Sequence, residues 1–242
     1  MLGDVLSWTL GSISNLVWLL VFIPQIIQNR RNKSSEAVSF YLLLAWYIGD
    51  TLSCISVIYK QAPYVLLYIG LYHIVFDIIF IVQVIYYRLP YLDQYQILLN
   101  ENTYKYDLVS YTKSILTTEE TKWFIGYNVV FVLSQSVLPF LPRLLVGDIL
   151  VWISTFIFLI SRLPQILLNY RRRSVEGLSF VTFINIIIAN QLFLASVLIR
   201  LIDINDVNGQ KDYVIKNLAW IVGPSAGIIF DIIIFTQFVK YR

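Results

Sequence analysis

A 17-residue segment is written twice in this chain, 140 positions apart, and this duplication constrains the fold more than any other feature. The segments at 24–40 and 164–180 align without a gap. They share Pro24/Pro164, Gln25/Gln165, Ile26/Ile166, Asn29/Asn169, Arg31/Arg171, Ser34/Ser174, Glu36/Glu176, Ser39/Ser179 and Phe40/Phe180. Each copy starts at the end of a long apolar run, crosses a basic hydrophilic loop and enters a second apolar run. What has been duplicated is therefore part of a membrane domain. A membrane protein built from internal repeats is a candidate transporter.

Hydrophobic residues make up 58% of the chain and charged residues 14%, with a mean hydropathy of +0.70. That is more apolar and less charged than soluble domains are, so the expected class is an all-α integral membrane protein. The single cysteine, Cys54, excludes an internal disulfide and a cysteine metal cluster, and a lone His73 removes the usual zinc ligand sets. No metal site, cofactor or nucleophile–base pair is expected, and the chain does not read as an enzyme. The net charge of +3 is small. Its basic residues cluster in short loops, which fits topology and headgroup contact rather than nucleic-acid binding. Asp4 precedes the first apolar run and no small-residue cleavage site follows it, so no cleavable signal peptide is expected.

A spanning helix needs about 20 apolar residues. Such runs fall at 8–27, 38–59, 64–87, 123–141, 148–168, 178–201 and 217–239, which predicts seven crossings. The fourth is the weakest, interrupted by Ser134, Gln135, Ser136 and Pro139. It is kept because three helices reverse the side on which a chain emerges. Two three-helix repeats whose basic loops share a side therefore need one crossing between them. The expected plan is a first repeat over 5–87, a polar cytosolic linker over 88–121, a linking helix and loop over 122–146, and a second repeat over 147–242.

Arg30, Arg31, Lys33, Arg171, Arg172, Arg173, the basic residues of the linker and those of the C-terminus all fall on one side of this plan. Only Lys60, Arg143, Arg200, Lys211 and Lys216 fall on the other. The positive-inside rule then puts the amino terminus in the lumen and the carboxy terminus in the cytosol. The duplication continues beyond the loop with an offset of 154: Phe76-Asp77-Ile78-Ile79 matches Phe230-Asp231-Ile232-Ile233, and Gln83 matches Gln237. Apolar helices resemble one another by chance, but these polar matches do not.

Paired Pro-Gln dipeptides near the end of the first helix of each repeat, in a seven-helix chain, resemble the PQ-loop family, which is similar in architecture to the SWEET sugar transporters. Ser161-Arg162-Leu163-Pro164-Gln165, the run from Arg172 to Phe180, and Trp46-Tyr47-Ile48-Gly49-Asp50 most resemble its lysosomal and vacuolar cationic amino acid transporter branch. The resemblance covers nearly all of 8–87 and 147–242 and leaves out the linker. Ala37-Val38 stands where the second copy has Gly177-Leu178, and Ala189-Asn190 stands where a Gly-Asn pair is expected. The resemblance implies two parallel three-helix repeats joined by a linking helix, a 3+1+3 SWEET-like arrangement. It also implies export of Arg, Lys and His from a lysosome or vacuole lumen to the cytosol by alternating access. The partners expected are basic amino acids and the lipid bilayer; protons and cytosolic proteins stand as optional ones.

The candidate site residues follow from helix chemistry. Pro24 and Pro164 remove a backbone donor and clash with the carbonyl four residues earlier, so both helices should bend there, with Gln25 and Gln165 satisfying the freed groups. They are candidate hinges or fixed kinks. A charge at helix centre costs about 2.5–3.5 kcal/mol, which singles out Asp50. Its repeat partner is Asn190, and the two suit a zwitterion with a cationic side chain near the midplane. Arg162, where the first copy has Phe22, either holds a substrate carboxylate, locks a gate by pairing with an Asp, or snorkels to the headgroups. Asp77 and Asp231 are proton sites, attractors of the cation, or structural braces. His73 is a proton shuttle or a hydrogen-bonded packing residue. Two rival functions share this scaffold: a proton-coupled cystine-type exporter, and a ligand-binding receptor or nutrient sensor.

Overall fold

The computed structural model describes residues 2–62, 64–99, 119–134 and 142–241. α1 (Leu2–Leu20) and α2 (Ile23–Asn32) form one broken crossing, followed by α3 (Phe40–Tyr59) and α4 (Tyr64–Leu99). α5 (Glu119–Ser134) links them to α6 (Arg143–Arg172), α7 (Phe180–Ile202) and α8 (Val207–Lys240). With α1 and α2 taken together, seven helical rods are described, and six are long and apolar enough to cross a membrane. The seventh, α5, is followed for 16 residues; positions 135–141 of the expected fourth crossing lie outside the described residues. Several helices outrun their apolar runs. α4 continues to Leu99, beyond the boundary expected at 87, because extending a formed helix gains one hydrogen bond per residue whether or not lipid surrounds it. Positions 100–118 of the linker lie outside the described residues.

Polar side chains are buried beside an apolar core that includes Val21, Leu43, Phe80 and Ile234. Ser14, Asn29, Asp77, Gln165 and Asn169 are wholly buried, while Trp8, Leu16, Phe156 and Val239 are exposed. An apolar exterior suits lipid, and a polar interior gives each buried donor or acceptor a chance of a partner.

The repeats interlock. α1 packs chiefly on α7, and α3 on α6, so the first helix of each repeat leans on the second helix of the other; α4 covers α3, and α8 covers α6 and α7. The bonds across these seams come in pairs. Ser14 Oγ donates to Ala189 O and Ser154 Oγ to Gly49 O, both at 2.8 Å. Ser56 Oγ donates to Gly147 O and Ser196 Oγ to Ser7 O, again at 2.8 Å. At the end of the bundle away from the basic loops, Lys60 pairs with Asp148 at 2.7 Å and Arg200 with Asp4. Each of these hydrogen bonds has its mate 140 residues along with the repeats exchanged, which is the signature of a pseudo-twofold axis.

The proline joints differ from one repeat to the other. α1 ends at Leu20, the Val21 amide donates to Trp18 O at 3.2 Å in a tightened turn, and α2 restarts at Ile23. Pro24 thus sits in a first turn, where its missing N–H leaves nothing unpaired. Pro164 instead lies inside an uninterrupted α6. The turn before it is tied down by Ser161 Oγ and Arg162 Nη1, which both donate to Phe158 O, at 2.8 and 2.6 Å. Val21 and Phe22, at the matching positions, have no side-chain donors for such a tie.

Candidate functional site

The Pro-Gln glutamines reach beyond their own helices. Gln25 Oε1 accepts from the Ser179 amide at 2.5 Å, and its Nε2 donates to Gly177 O at 2.9 Å and Asn29 Oδ1 at 2.8 Å. Gln165 mirrors this on the first repeat: Oε1 accepts from the Ser39 amide, and Nε2 donates to Ala37 O and Asn169 Oδ1, all at 2.8 Å. The chain of bonds continues inward. Asn29 Nδ2 donates to Gln83 Oε1 and Gln83 Nε2 to Ile26 O, both at 3.0 Å. Asn169 Nδ2 donates to Gln237 Oε1 at 2.8 Å and Gln237 Nε2 to Ile166 O at 2.9 Å. Each glutamine therefore satisfies the loop of the opposite repeat. The expectation that it caps its own kink is corrected: a carboxamide with both a donor and an acceptor fits an unpaired loop N–H and C=O together, and those lie across the axis. Gly177, at φ +84°, brings the two loops so close that a Cβ there would meet Ala37 Cβ at 3.1 Å. The basic-loop end of the bundle is closed.

Further along the helices lies a cavity of about 230 Å³. It is lined by Asp50, His73, Arg162 and Asn190, with Trp18 and Trp46 among its aromatic walls. That is smaller than the roughly 300–1,000 Å³ of drug-sized pockets, so it suits a compact solute. Asp77 and Asp231 stand behind this wall, 0% and 2% exposed. At about 1.5 Å per residue, the six residues from Asp77 to Gln83 put the glutamine lattice about 9 Å beyond.

Inside the cavity the symmetry fails. In the second repeat, Arg162 Nε donates to Asp231 Oδ1 at 2.5 Å, Nη2 to Oδ2 at 3.4 Å, and Nη1 to Phe158 O at 2.6 Å. Gly227 lies against it: a Cβ there would stand 3.5 Å from the guanidinium, an ordinary contact distance. In the first repeat, Phe22 replaces the arginine and His73 replaces Gly227. Neither oxygen of Asp77 meets an N–H donor among the described residues, and the group it faces is the Asp50 carboxyl. His73 Nδ1 lies 3.4 Å from Asp50 Oδ1. Its ring packs against Trp18, Phe22 and Tyr72, with centroids 5.3, 5.4 and 5.9 Å away. One half of the cavity is a closed ion pair. The other holds two carboxylates and one imidazole.

All the residues singled out from sequence thus fall into two layers. Asp50, Asn190, Arg162 and His73 line the cavity, Asp77 and Asp231 back it, and Pro24, Gln25, Pro164 and Gln165 belong to the closed end. Of the roles open to Arg162, the geometry shows pairing with an aspartate, and the partner is Asp231 rather than Asp50. Sequence reasoning missed Trp18 and Trp46 as walls, although Trp46 stands one helical turn before Asp50 and so shares its face. It also passed over the Asn29/Asn169 and Gln83/Gln237 relays, whose signal was their identity in both repeats.

The sequence profile of the PQ loop repeat matches residues 6–66 and 146–206. A vacuolar lysine transporter of Saccharomyces cerevisiae is 25% identical over 299 residues, covering 99% of this chain and 94% of that protein. A Homo sapiens protein named lysosomal amino acid transporter 1 homolog is 30% identical over 251 residues, covering 99% and 84%. Among solved structures, a eukaryotic SWEET transporter aligns with a TM-score of 0.56 at 15% identity, over 100% of this chain and 99% of that one; this likeness establishes the fold.

Proposed function

From the premise that this chain belongs to the PQ-loop repeat family, a family of transporters and not of enzymes, we propose that it carries cationic amino acids across a lysosomal or vacuolar membrane by alternating access. The observation that supports this most is the acidic half of the cavity. Asp50 faces the space 3.4 Å from His73 Nδ1, with the Asp77 carboxyl beside it and no guanidinium or ammonium on either. Buried carboxylates without a strong partner attract a cation. Relatives matched along nearly the whole chain are named for lysine and amino acid transport.

In this reading the side-chain cation of lysine, arginine or histidine sits at Asp50. The α-carboxylate turns to the second half, where Asn190 offers an amide donor and Arg162 contributes its positive edge. The basic loops face the cytosol, the amino terminus faces the lumen, and export follows when lumenal cargo is in excess. Release requires the closed end to open. Gln25 and Gln165 must let go of the opposite loops while the crossings flex at Pro24 and Pro164. Because each glutamine holds the partner repeat, neither half swings without freeing the other. The test is flux of labelled lysine, arginine, histidine, cystine and glucose into proteoliposomes of the purified protein. Uptake of the three cationic amino acids alone is expected, and uptake of cystine or glucose in their place would sink the reading.

A further inference from the structure

We propose that His73 is a displaceable counter-ion: protonated, it holds Asp50 while the cavity is empty, and a cationic cargo takes the same carboxylate and sends the proton out. The inference rests on the reading of this cavity as a cation carrier's site. It is carried by three features of the geometry. The contact from Nδ1 to Asp50 Oδ1, at 3.4 Å, is within ion-pair range but longer than an ordinary N–H···O bond. By contrast, Arg162 grips Asp231 at 2.5 Å and is held a second time by Phe158 O. The remaining His73 nitrogen, Nε2, is buried without a hydrogen-bond partner among the described residues. The fold does not need a side chain at this place, since Gly227 occupies it in the second repeat. Set beside one carboxylate just beyond ordinary bonding distance, with its other nitrogen unpaired, this imidazole is held less tightly than the Arg162 guanidinium.

The groups facing His73 allow this exchange. α3 contributes Asp50, with Tyr47 and Cys54 on the same helix. α4 contributes Tyr72 and Asp77. α1 and the α1–α2 junction contribute only the rings of Trp18 and Phe22, and across the cavity stands the Arg162–Asp231 pair, already neutral. Among the described residues the proton carriers beside Asp50 are the His73 imidazole and the Asp77 carboxyl, and of these an imidazole is the one that exchanges protons within the physiological range. When a lysine ammonium reaches Asp50, the imidazolium loses its partner and its proton passes to water in the cavity. The carrier thus crosses with one positive charge at Asp50 in either direction, a proton one way and a cargo cation the other. The step is electroneutral and couples the cargo to the pH gradient. An acid lumen would then draw cationic amino acids inward, and export would run only when the cargo ratio exceeds the proton ratio.

The experiment is a proton count. Proteoliposomes carrying an internal pH dye and labelled lysine are expected to show about one proton moved against each lysine, with flux driven by a pH gradient and little affected by membrane potential. His73→Gln and His73→Asn are expected to move lysine without protons and to respond to potential. Lysine binding to the purified protein gives a second readout. Simple competition weakens the wild-type affinity by about tenfold per pH unit on the acid side, and the variants should lose that slope. Lysine flux without protons in the wild type would overturn this inference and leave the carrier reading standing, whereas absence of lysine flux would end both. Variants that keep the proton ratio, or that lose lysine binding at every pH, overturn it as well. A ratio kept by H73Q but lost by Asp77→Asn would put the proton on Asp77 instead.

Discussion

The two repeats agree at their ends and disagree in the middle. Near the basic loops, Gln25, Asn29 and Gln83 repeat as Gln165, Asn169 and Gln237, bond for bond. At the cavity, Phe22, Asp50 and His73 stand where the second repeat has Arg162, Asn190 and Gly227, and the identical Asp77 and Asp231 differ in their partners. On the carrier reading, the difference divides a duplicated fold between moving and binding. A gate that opens along a pseudo-twofold axis needs matched latches, or one side would carry the strain alone. A cavity for an asymmetric cargo needs unlike walls.

The harshest test of this contrast is to move the carboxylate across the axis. Asp50→Asn is expected to lower cationic flux by about 10- to 100-fold, the range of a lost charged hydrogen bond of about 1.5–3 kcal/mol, with a much smaller effect on a neutral solute of similar size. The exchange D50N/N190D should not restore transport, because Arg162 stands in that half to capture the new carboxylate while His73 and Asp77 remain behind. Restored lysine flux in the double variant would mean that the halves are equivalent.

The closed pair is tested through stability. Arg162→Met leaves Asp231 buried without its partner, which costs about 3–5 kcal/mol. Thermal unfolding of the detergent-solubilised protein should show the loss, with partial recovery in R162M/D231N. Asp77→Asn should stabilise or leave unchanged, since Asp77 has no cation to lose. Equal responses at 77 and 231 would dissolve the distinction drawn between the repeats.

The latches should respond alike. Gln25→Leu and Gln165→Leu each orphan an amide and a carbonyl of the opposite loop, at about 1–3 kcal/mol per buried group. Either change is expected to shift the population toward opening at the basic-loop end. Because Cys54 is the only cysteine, a C54A background with Ala37→Cys would report this as faster thiol labelling. A response to one glutamine alone would break the symmetry argument. The smallest effects belong to glycines of the cavity region. Gly227→Ala meets the Arg162 guanidinium at an ordinary contact distance of 3.5 Å and should be nearly silent, whereas Gly49→Ala drives a Cβ to 2.7 Å from the Phe158 ring and should reduce lysine flux measurably.

Much of this was legible in residue order. The polar identities Asn29/Asn169, Asp77/Asp231 and Gln83/Gln237 announced buried positions used in both repeats, because a polar side chain is not retained twice in an apolar helix by composition alone. Asp50 and Asn190 were legible as cavity residues for the same reason, one turn of helix after another. The partners of these groups were not legible. Gln25 precedes Ser179 by 154 residues, and no local period links them. Arg162 pairs with the aspartate of its own repeat, on another helix, and no local spacing displays that choice.

Sequence by itself determined that this chain lies in a membrane, that it is two copies of one three-helix unit around a linking helix, and which polar positions the copies share or do not share. Hydropathy, charge bias and period are local properties, and a linear chain displays them. Tertiary structure alone decided that the Pro-Gln glutamines cross the axis, that Asp231 is neutralised by Arg162, and that Asp50 is left to His73. Those outcomes depend on distances between helices. A difference of 0.9 Å, 2.5 Å for Arg162 and Asp231 against 3.4 Å for His73 and Asp50, separates a locked pair from the one proposed to yield to a cargo.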